Sequence, residues 1–305
     1  MPGASQREMV RTIYAAYGSS GFDRVAEAFA TDAEIQAVPT GDRFRGRDGY
    51  LQYARGWAAA FPDLRIEILR LREGGEHCVV EYVMRGTNTG PFITSVGFVP
   101  PTWAGVEMRV CDVIQIREGS IVRLDSYFDS ATLLRQMGLL PNSPLHSADR
   151  RAPLELYASE VDDSSEQRNK AIVHRFLEEV LNQRNPSAAV AVCAPEMAWH
   201  GGVMGEARDL PSFQSRLASI FTSFPDLHVE VHDVIAEQDR VAVRLTVHGT
   251  HLGEFQGVPA TGRSISSTGL NSYRVGPNGI VEEWSQNDVL GVLRQLSAVS
   301  TPLKP

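Results

Sequence analysis

The chain has 305 residues and a formal net charge of −8 at pH 7, with 43% hydrophobic and 22% charged residues. An acidic balance without blocks of like charge suits neither a phosphate backbone nor an anionic bilayer, so neither nucleic acid nor membrane is expected as a partner. No apolar run approaches the roughly 20 residues of a membrane span, and MPGASQREMVRTIY lacks the basic start and apolar middle of a secretory signal, so a cytoplasmic protein is expected.

Residues 7–17 (REMVRTIYAAY) and 50–60 carry apolar side chains at three-to-four spacing and predict helices. The tetrapeptide FPDL follows at Phe61–Leu64. Alternating runs come next, IEILRLREGGEHCVVEYVMRG about an EGGE turn and VIQIREGSIVRLDSYFD about REGS, and both predict hairpins. Residues 142–166 are rich in Pro, Ser and charge, with LELYA as their only compact apolar stretch, and read as a linker. The order of signals then begins again. Helical spacing recurs at 169–181 and 212–223, FPDL recurs at Phe224–Leu227, and strand alternation recurs about AEQD and GPNG.

The second half repeats the first. FPDLRIEILRL lies over FPDLHVEVHDV, and VVEYVMRGTNTGPF over AVRLTVHGTHLGEF, both at an offset of 163. VIQIREGSIVRLDSYFD lies over SYRVGPNGIVEEWSQND at 159, and FATDAEIQ more weakly over CAPEMAWH at 164. A period of this length marks a tandem of related domains, and halves of about 140 residues are the common domain size. The expected organisation is domain 1 over residues 1–141, a linker over 142–166 and domain 2 over 167–305. Helices followed by an antiparallel sheet of about four to six strands make each half α+β, with a pocket between the helices and the sheet. The three cysteines, Cys78, Cys111 and Cys193, are too few and too far apart for a zinc site and read as reduced fillers.

FPDL, GTHLGEFQGVPATGRSI, and GIVEEW with an Asp four residues beyond the Trp resemble the SnoaL-like polyketide cyclases of the nuclear transport factor 2 and ketosteroid isomerase superfamily. The resemblance is strong over 205–297. It is looser over 46–138, where Gly86, Thr87, Gly90 and Phe92 persist but Asp125 replaces the Trp. It implies two cone-shaped α+β barrels, each around one deep pocket. It also implies acid-base chemistry without metal or organic cofactor, and frequent pairing of sheets into dimers. A tandem could pair internally as a pseudo-dimer.

Strand alternation says where acids would lie. Pairing Ile116 with Ile121 sets Asp112 opposite Asp125, Val110 opposite Tyr127 and Met108 opposite Asp129, all on one face. The equivalent pairing in the second copy sets Asn271 opposite Trp284, Gly269 opposite Gln286 and Ser267 opposite Asp288. Facing carboxylates repel, so one of the Asp112–Asp125 pair should keep its proton to higher pH, giving an acid beside a base. Tyr127 could hydrogen-bond to the same substrate oxygen. Alternation leaves open whether this face is the hollow or the solvated exterior; the family's acidic position, matching Asp129 and Asp288, favours the hollow.

The catalytic candidates are thus Asp112, Asp125, Asp129 and Asp288, with copy one favoured for its richer acid set. His200 is a candidate base or a structural histidine, and Gln36 takes the corresponding place in copy one. Tyr14 and Tyr17 either close the pocket mouth or pack in the core, and His251 could reach the rim. Arg244, Thr246 and His248 share a face expected to meet solvent or the other domain. No metal-ligand spacing, serine elbow or phosphate-cradling glycine loop is present. The function expected is ring closure of a polyketide-like intermediate by general acid-base catalysis, aldol-type or epoxide-opening. The alternatives are an epoxide hydrolase or isomerase of polyether type and a non-catalytic binding module for an apolar small molecule.

Overall fold

The computed structural model describes residues 6–17, 21–94, 97–140, 163–201 and 205–297. The chain divides into two compact units after Pro141. Residues 142–162 of the expected linker, LELYA included, lie outside the described residues. Its last four residues do not continue the linker: the first helix of the second unit already begins at Asp163.

Unit one runs α1 (Gln6–Ala15), α2 (Phe22–Ala26), β1 (Phe29–Ala37), β2 (Asp42–Arg45), α3 (Gly46–Ala60), β3 (Arg65–Gly74), β4 (His77–Thr87), β5 (Phe92–Thr94), β6 (Gly97–Val99), β7 (Gly105–Arg117), β8 (Ser120–Phe128) and α4 (Ser130–Gln136). Unit two runs α5 (Asp163–Arg175), which continues as a π-helical segment (Phe176–Asn182), a 3-10 turn (Pro186–Ala191), β9 (Cys193–His200), β10 (Glu206–Ala207), α6 (Leu210–Ser223), β11 (His228–Glu237), β12 (Arg240–Thr250), β13 (Ser264–Gly276), β14 (Gly279–Asn287) and α7 (Val289–Gln295).

The two six-stranded sheets share one topology, β2-β1-β8-β7-β4-β3 and β10-β9-β14-β13-β12-β11. Each is mixed rather than purely antiparallel. β1 joins β8, and β9 joins β14, in parallel, because helices separate the first strand from the hairpins and return the chain in the same direction. The architecture is therefore α+β in tandem, two cone-shaped sheets each with helices over one face.

The long helices form because their apolar residues recur on one side. In α3 these are Tyr50, Tyr53, Ala54, Trp57 and Ala60, and in α6 Leu210, Phe213 and Leu217, all buried. Asp209 starts α6 by accepting from the Ser212 amide in a capping box.

The repeated FPDL ends both helices and clips them to the sheet. The amide of Phe61 closes the last turn on Trp57, and that of Phe224 on Ile220, each at 2.9 Å; the proline that follows biases its predecessor out of helical geometry. The aspartate then accepts from a strand end. Asp63 takes the amide and hydroxyl of Thr87 at 2.6 and 2.8 Å, and Asp226 takes those of Thr250, both at 2.6 Å. These bonds hold both carboxyls below their ordinary pKa. The glycines of the repeat exist for close approach. A Cβ on Gly90 would stand 1.9 Å from the Ala59 carbonyl oxygen, and one on Gly253 would stand 2.4 Å from that of Thr222. The repeated signature is thus scaffold, and it aims the inner face of each sheet at the helices.

Candidate active site

The inner face differs from the one that simple alternation predicts. Ile116 does pair with Ile121, but Gln115 pairs with Arg123, so Val122 is an extra residue in β8. The same bulge recurs in the second unit, where Val275 pairs with Ile280 and Arg274 with Glu282 across an extra Val281. A bulge shifts every later partner by one and exchanges the faces of the strand beyond it. Asp112 therefore lies beside Ser126 and not Asp125, and Asn271 beside Ser285 and not Trp284.

In the second unit this register turns Glu283, Ser285 and Asn287 of β14 inward, facing Tyr273, Asn271 and Gly269 of β13. They form one wall of a cavity of about 110 Å³ whose other sides are apolar, among them Phe176, Phe213, Leu217, Phe224, Leu245 and Val289. Glu283 is 3% exposed. Its Oε1 accepts from the Ser285 hydroxyl at 2.8 Å and from Asn271 Nδ2 at 3.0 Å. Asn271 Nδ2 also reaches the Tyr273 hydroxyl at 3.2 Å. Trp199 Nε1 donates to Ser285 Oγ at 2.9 Å, so the single proton of Ser285 is left for the carboxylate. Burial pushes the Glu283 carboxyl up to about 7, while the Ser285 and Tyr273 hydroxyls pull the other way. A carboxyl balanced near neutrality in an apolar hollow can both take and return a proton.

The first unit places an acid on the opposite strand of the same wall. Asp112, on β7, is buried and accepts at Oδ2 from the hydroxyls of Tyr14 (2.7 Å) and Tyr82 (3.2 Å). Its pKa is raised to about 6, chiefly by burial; the Tyr14, Ser126 and Tyr82 hydroxyls lower it, and the charge of Asp125 raises it by less than any of these. The expected repulsion of a facing pair is thus replaced by desolvation as the cause. Little room remains around Asp112. The hollow here holds about 10 Å³ between Tyr17, Tyr53, Trp57, Tyr82, Val110 and Phe128, on the scale of a single water molecule.

The remaining expected residues fall elsewhere. Asp129 and Asp288 cap the last helices. Asp129 accepts from the amide and hydroxyl of Thr132 at 2.9 and 2.7 Å, and Asp288 from the amide of Gly291 at 2.8 Å. Neither is among the described residues that line these two hollows. Asp125 and Tyr127 pair with Val113 and Cys111, on the sheet face away from the hollow, and Asp125 accepts from Arg123 Nε at 2.8 Å. Gln36 pairs with Asp125 on that same face, while its neighbour Ile35 enters the core. Trp284 and Gln286 likewise turn outward. Trp284 stacks on His200 (ring centroids 4.9 Å apart) beneath Arg240, and His200 Nε2 lies 3.2 Å from Glu282, outside the cavity. Tyr14 packs in the core but keeps a polar role as the donor to Asp112. His251 is buried, with Nδ1 at 3.0 Å from the Thr261 hydroxyl, and it fixes a loop. Of the expected set, Asn271 lies in the large cavity and Tyr14 meets Asp112; the bulges and caps send the others elsewhere.

Glu283 and Ser285 are what the sequence reading missed. Both stand in GIVEEWSQND, but the extra residue within the apolar Ile280–Val281 pair gives no sign in the pattern. Among the described residues, no three or more His, Cys, Asp or Glu side chains gather as a metal site. No helix among them is long and apolar enough to cross a membrane.

A family model, SnoaL-like polyketide cyclase, matches residues 7–137 and again 171–296. The chain belongs to this family, twice over. Three solved structures illustrate the likeness: AclR from Streptomyces galilaeus (28% identity over 45% of this chain and 100% of that one, TM-score 0.41), IdmH from Streptomyces antibioticus (31%, 42% and 98%, 0.38) and a SnoaL-like protein from Jannaschia sp. CCS1 (22%, 47% and 100%, 0.43). Each spans about half of the present tandem. No match was found among curated proteins. Membership brings a cyclase or isomerase type of role and a small-molecule ligand.

Proposed function

We propose that this tandem protein closes a ring in a polyketide-like intermediate and that the chemistry takes place in the second domain, with Glu283 as the proton-transferring group. The observation that carries the reading is a buried carboxyl, balanced near neutrality, in the wall of an otherwise apolar cavity. Ionised Glu283 would remove a proton from carbon next to a carbonyl, and the resulting enolate would attack a second carbonyl. Glu283, now protonated, would return its proton to the new alkoxide. Trp199 and Ser285 keep the carboxylate oriented, and the aromatic walls keep water from competing for the proton.

Epoxide opening is less well supported, because it calls for a second acid at the leaving oxygen. Glu283 is the only carboxyl among the described residues lining the cavity. The same residues include no cationic side chain, which favours a neutral small molecule over nucleic acid. Asp112 takes a structural part in this reading, since aromatic side chains occupy the space a substrate would need. The first domain then serves as partner and scaffold, and the halves pair as an internal pseudo-dimer in the cytoplasm. Solution X-ray scattering from the full chain tests the pairing: a compact profile supports it, and an extended two-bead profile removes it.

The catalytic assignment is tested by the pH dependence of turnover. A base must be ionised to act, so kcat/KM should rise with pH through a midpoint near 7 set by Glu283. A profile unchanged in Glu283→Gln, or one that follows Asp112 instead, would remove the assignment.

A further inference from the structure

We propose that the hollow of the second domain takes a neutral ligand whose polar edge donates hydrogen bonds, an enol or phenol hydroxyl on an otherwise apolar ring, and that it rejects carboxylates and methyl ethers. The inference rests on the reading of that hollow as the substrate site, and it says which functional groups the substrate must present there.

What the wall can still bind follows from which of its polar atoms are already committed. Asn271 is 5% exposed, and its Nδ2 is held by Glu283 and by the Tyr273 oxygen. That commitment fixes the amide orientation, because the oxygen could not approach an ionised carboxylate. Asn271 Oδ1 is therefore the free end, buried with no donor from the protein. Glu283 uses Oε1 for Ser285 and Asn271, and its Oε2 is likewise buried with no hydrogen-bond donor. One rung further along, Asn287 Oδ1 is buried and undonated too. It occupies the place that Gly269 leaves open: a Cβ there would lie 2.1 Å from that oxygen.

Three unmatched acceptors thus belong to side chains that line one cavity, and the described residues lining it include no Lys, Arg or His. An anion entering would meet acceptors and an ionised carboxylate, with no cation to offset its lost hydration. A methyl ether would leave the same acceptors unmatched. A hydroxyl on a ring satisfies them, and the aromatic and aliphatic walls cover the rest of the molecule.

The test uses the full-length protein at pH 8, where Glu283 is ionised, titrated with phenol, anisole and benzoate and followed by calorimetry or NMR. Phenol is expected to bind about tenfold more tightly than anisole, as the loss of a buried hydrogen bond requires, and benzoate no more tightly than anisole. Asn271→Leu should narrow the preference for phenol over anisole without abolishing it, because the Glu283 and Asn287 acceptors remain. Asn287→Ala supplies a second reading of the same wall should the first variant fail to fold, and it should narrow the preference in the same direction. Equal binding of phenol and anisole by the native protein, tighter binding of benzoate, or a phenol preference unchanged in both asparagine variants overturns the proposal. Glu283→Gln separates this idea from the base assignment. It should keep the phenol preference, because both asparagine acceptors remain, while losing turnover; normal turnover with the preference intact would sink the base alone.

Discussion

The two domains share a strand order, a bulge position and the FPDL clip, yet build opposite interiors on the same wall. Domain 1 places Val110, Asp112 and Ile114 against Phe128, Ser126 and Leu124; domain 2 places Gly269, Asn271 and Tyr273 against Asn287, Ser285 and Glu283. Across the hollow, Trp57 and Tyr82 of domain 1 correspond in the repeat to Ile220 and Leu245 of domain 2. The result is about 10 Å³ of space in one and about 110 Å³ in the other. An acid persists in both, but it changes strand, and in domain 1 two tyrosines consume one of its oxygens. Duplication therefore fixed the frame, which turns on backbone geometry. The side chains pointing inward remained free to decide between a filled core and an open hollow.

The widest separation of the two domains should come from their acids. Glu283→Gln is expected to lower turnover by about 10²–10⁴-fold, the usual contribution of a positioned base, while Asp112→Asn changes it by less than about twofold; steady-state kinetics on whichever substrate the native protein converts reads both. The reverse result would transfer the site to domain 1.

The aromatic filling of domain 1 should show the next largest effect. Trp57 lies 5.5 Å from Phe128 and 4.8 Å from Phe92 between ring centroids. Trp57→Ile, which imports the residue of domain 2, should cost about 3 kcal/mol in urea unfolding. It should also give domain 1 a hollow that takes up benzene in a crystal soak. Loss of stability without uptake would mean that the neighbouring aromatics collapse into the space.

The acids also leave separate marks on stability. Asp112 is raised from 3.8 to about 6 and Glu283 from 4.5 to about 7, so the fold binds these protons more tightly than the unfolded chain. The Asp112 contribution is fully present below pH 3.8 and is lost as pH rises through about 6, amounting to about 3 kcal/mol. Asp112→Asn should flatten that part of the stability profile and Glu283→Gln the part between 4.5 and about 7; urea midpoints across pH measure it. Profiles that keep their slope in both variants would show that neither carboxyl is buried as described.

A smaller effect tests the orientation of the base. Ser285→Ala removes a hydrogen bond to ionised Glu283 worth about 1.5 kcal/mol and should move the midpoint of the pH–rate profile to higher pH; Trp199→Phe should do so by less. Smallest are the caps, where Asp129→Ala and Asp288→Ala should each cost about 1 kcal/mol of stability and leave the pH profile in place. A shifted profile in Asp288→Ala would return that residue to the site.

Much of the frame could be read from the residues. Apolar spacing marked α1, α3, α5 and α6, the offset of 163 marked the duplication, and the turns at EGGE, REGS, AEQD and GPNG marked the hairpins. These are local signals, set by propensity and period, and local physics enforces them wherever the chain goes. The inner face was legible only in part. Asn271 was expected there and lies there because β13 alternates without interruption up to its partner, whereas Trp284 and Gln286 were expected there and turn away because Val281 interrupts β14. Asp129 and Asp288 were expected in the hollow because an aspartate after a strand looks alike whether it starts a helix or faces a hollow.

The sequence by itself determined that there are two α+β domains, where their helices and hairpins lie, and that an acidic row closes each repeat, since all of these follow from period and spacing. Only the tertiary structure decided which carboxyl turns toward the hollow and which hollow stays open. Those outcomes depend on a one-residue bulge and on the summed volume of side chains arriving from distant segments, and neither quantity is written in any local stretch of the chain.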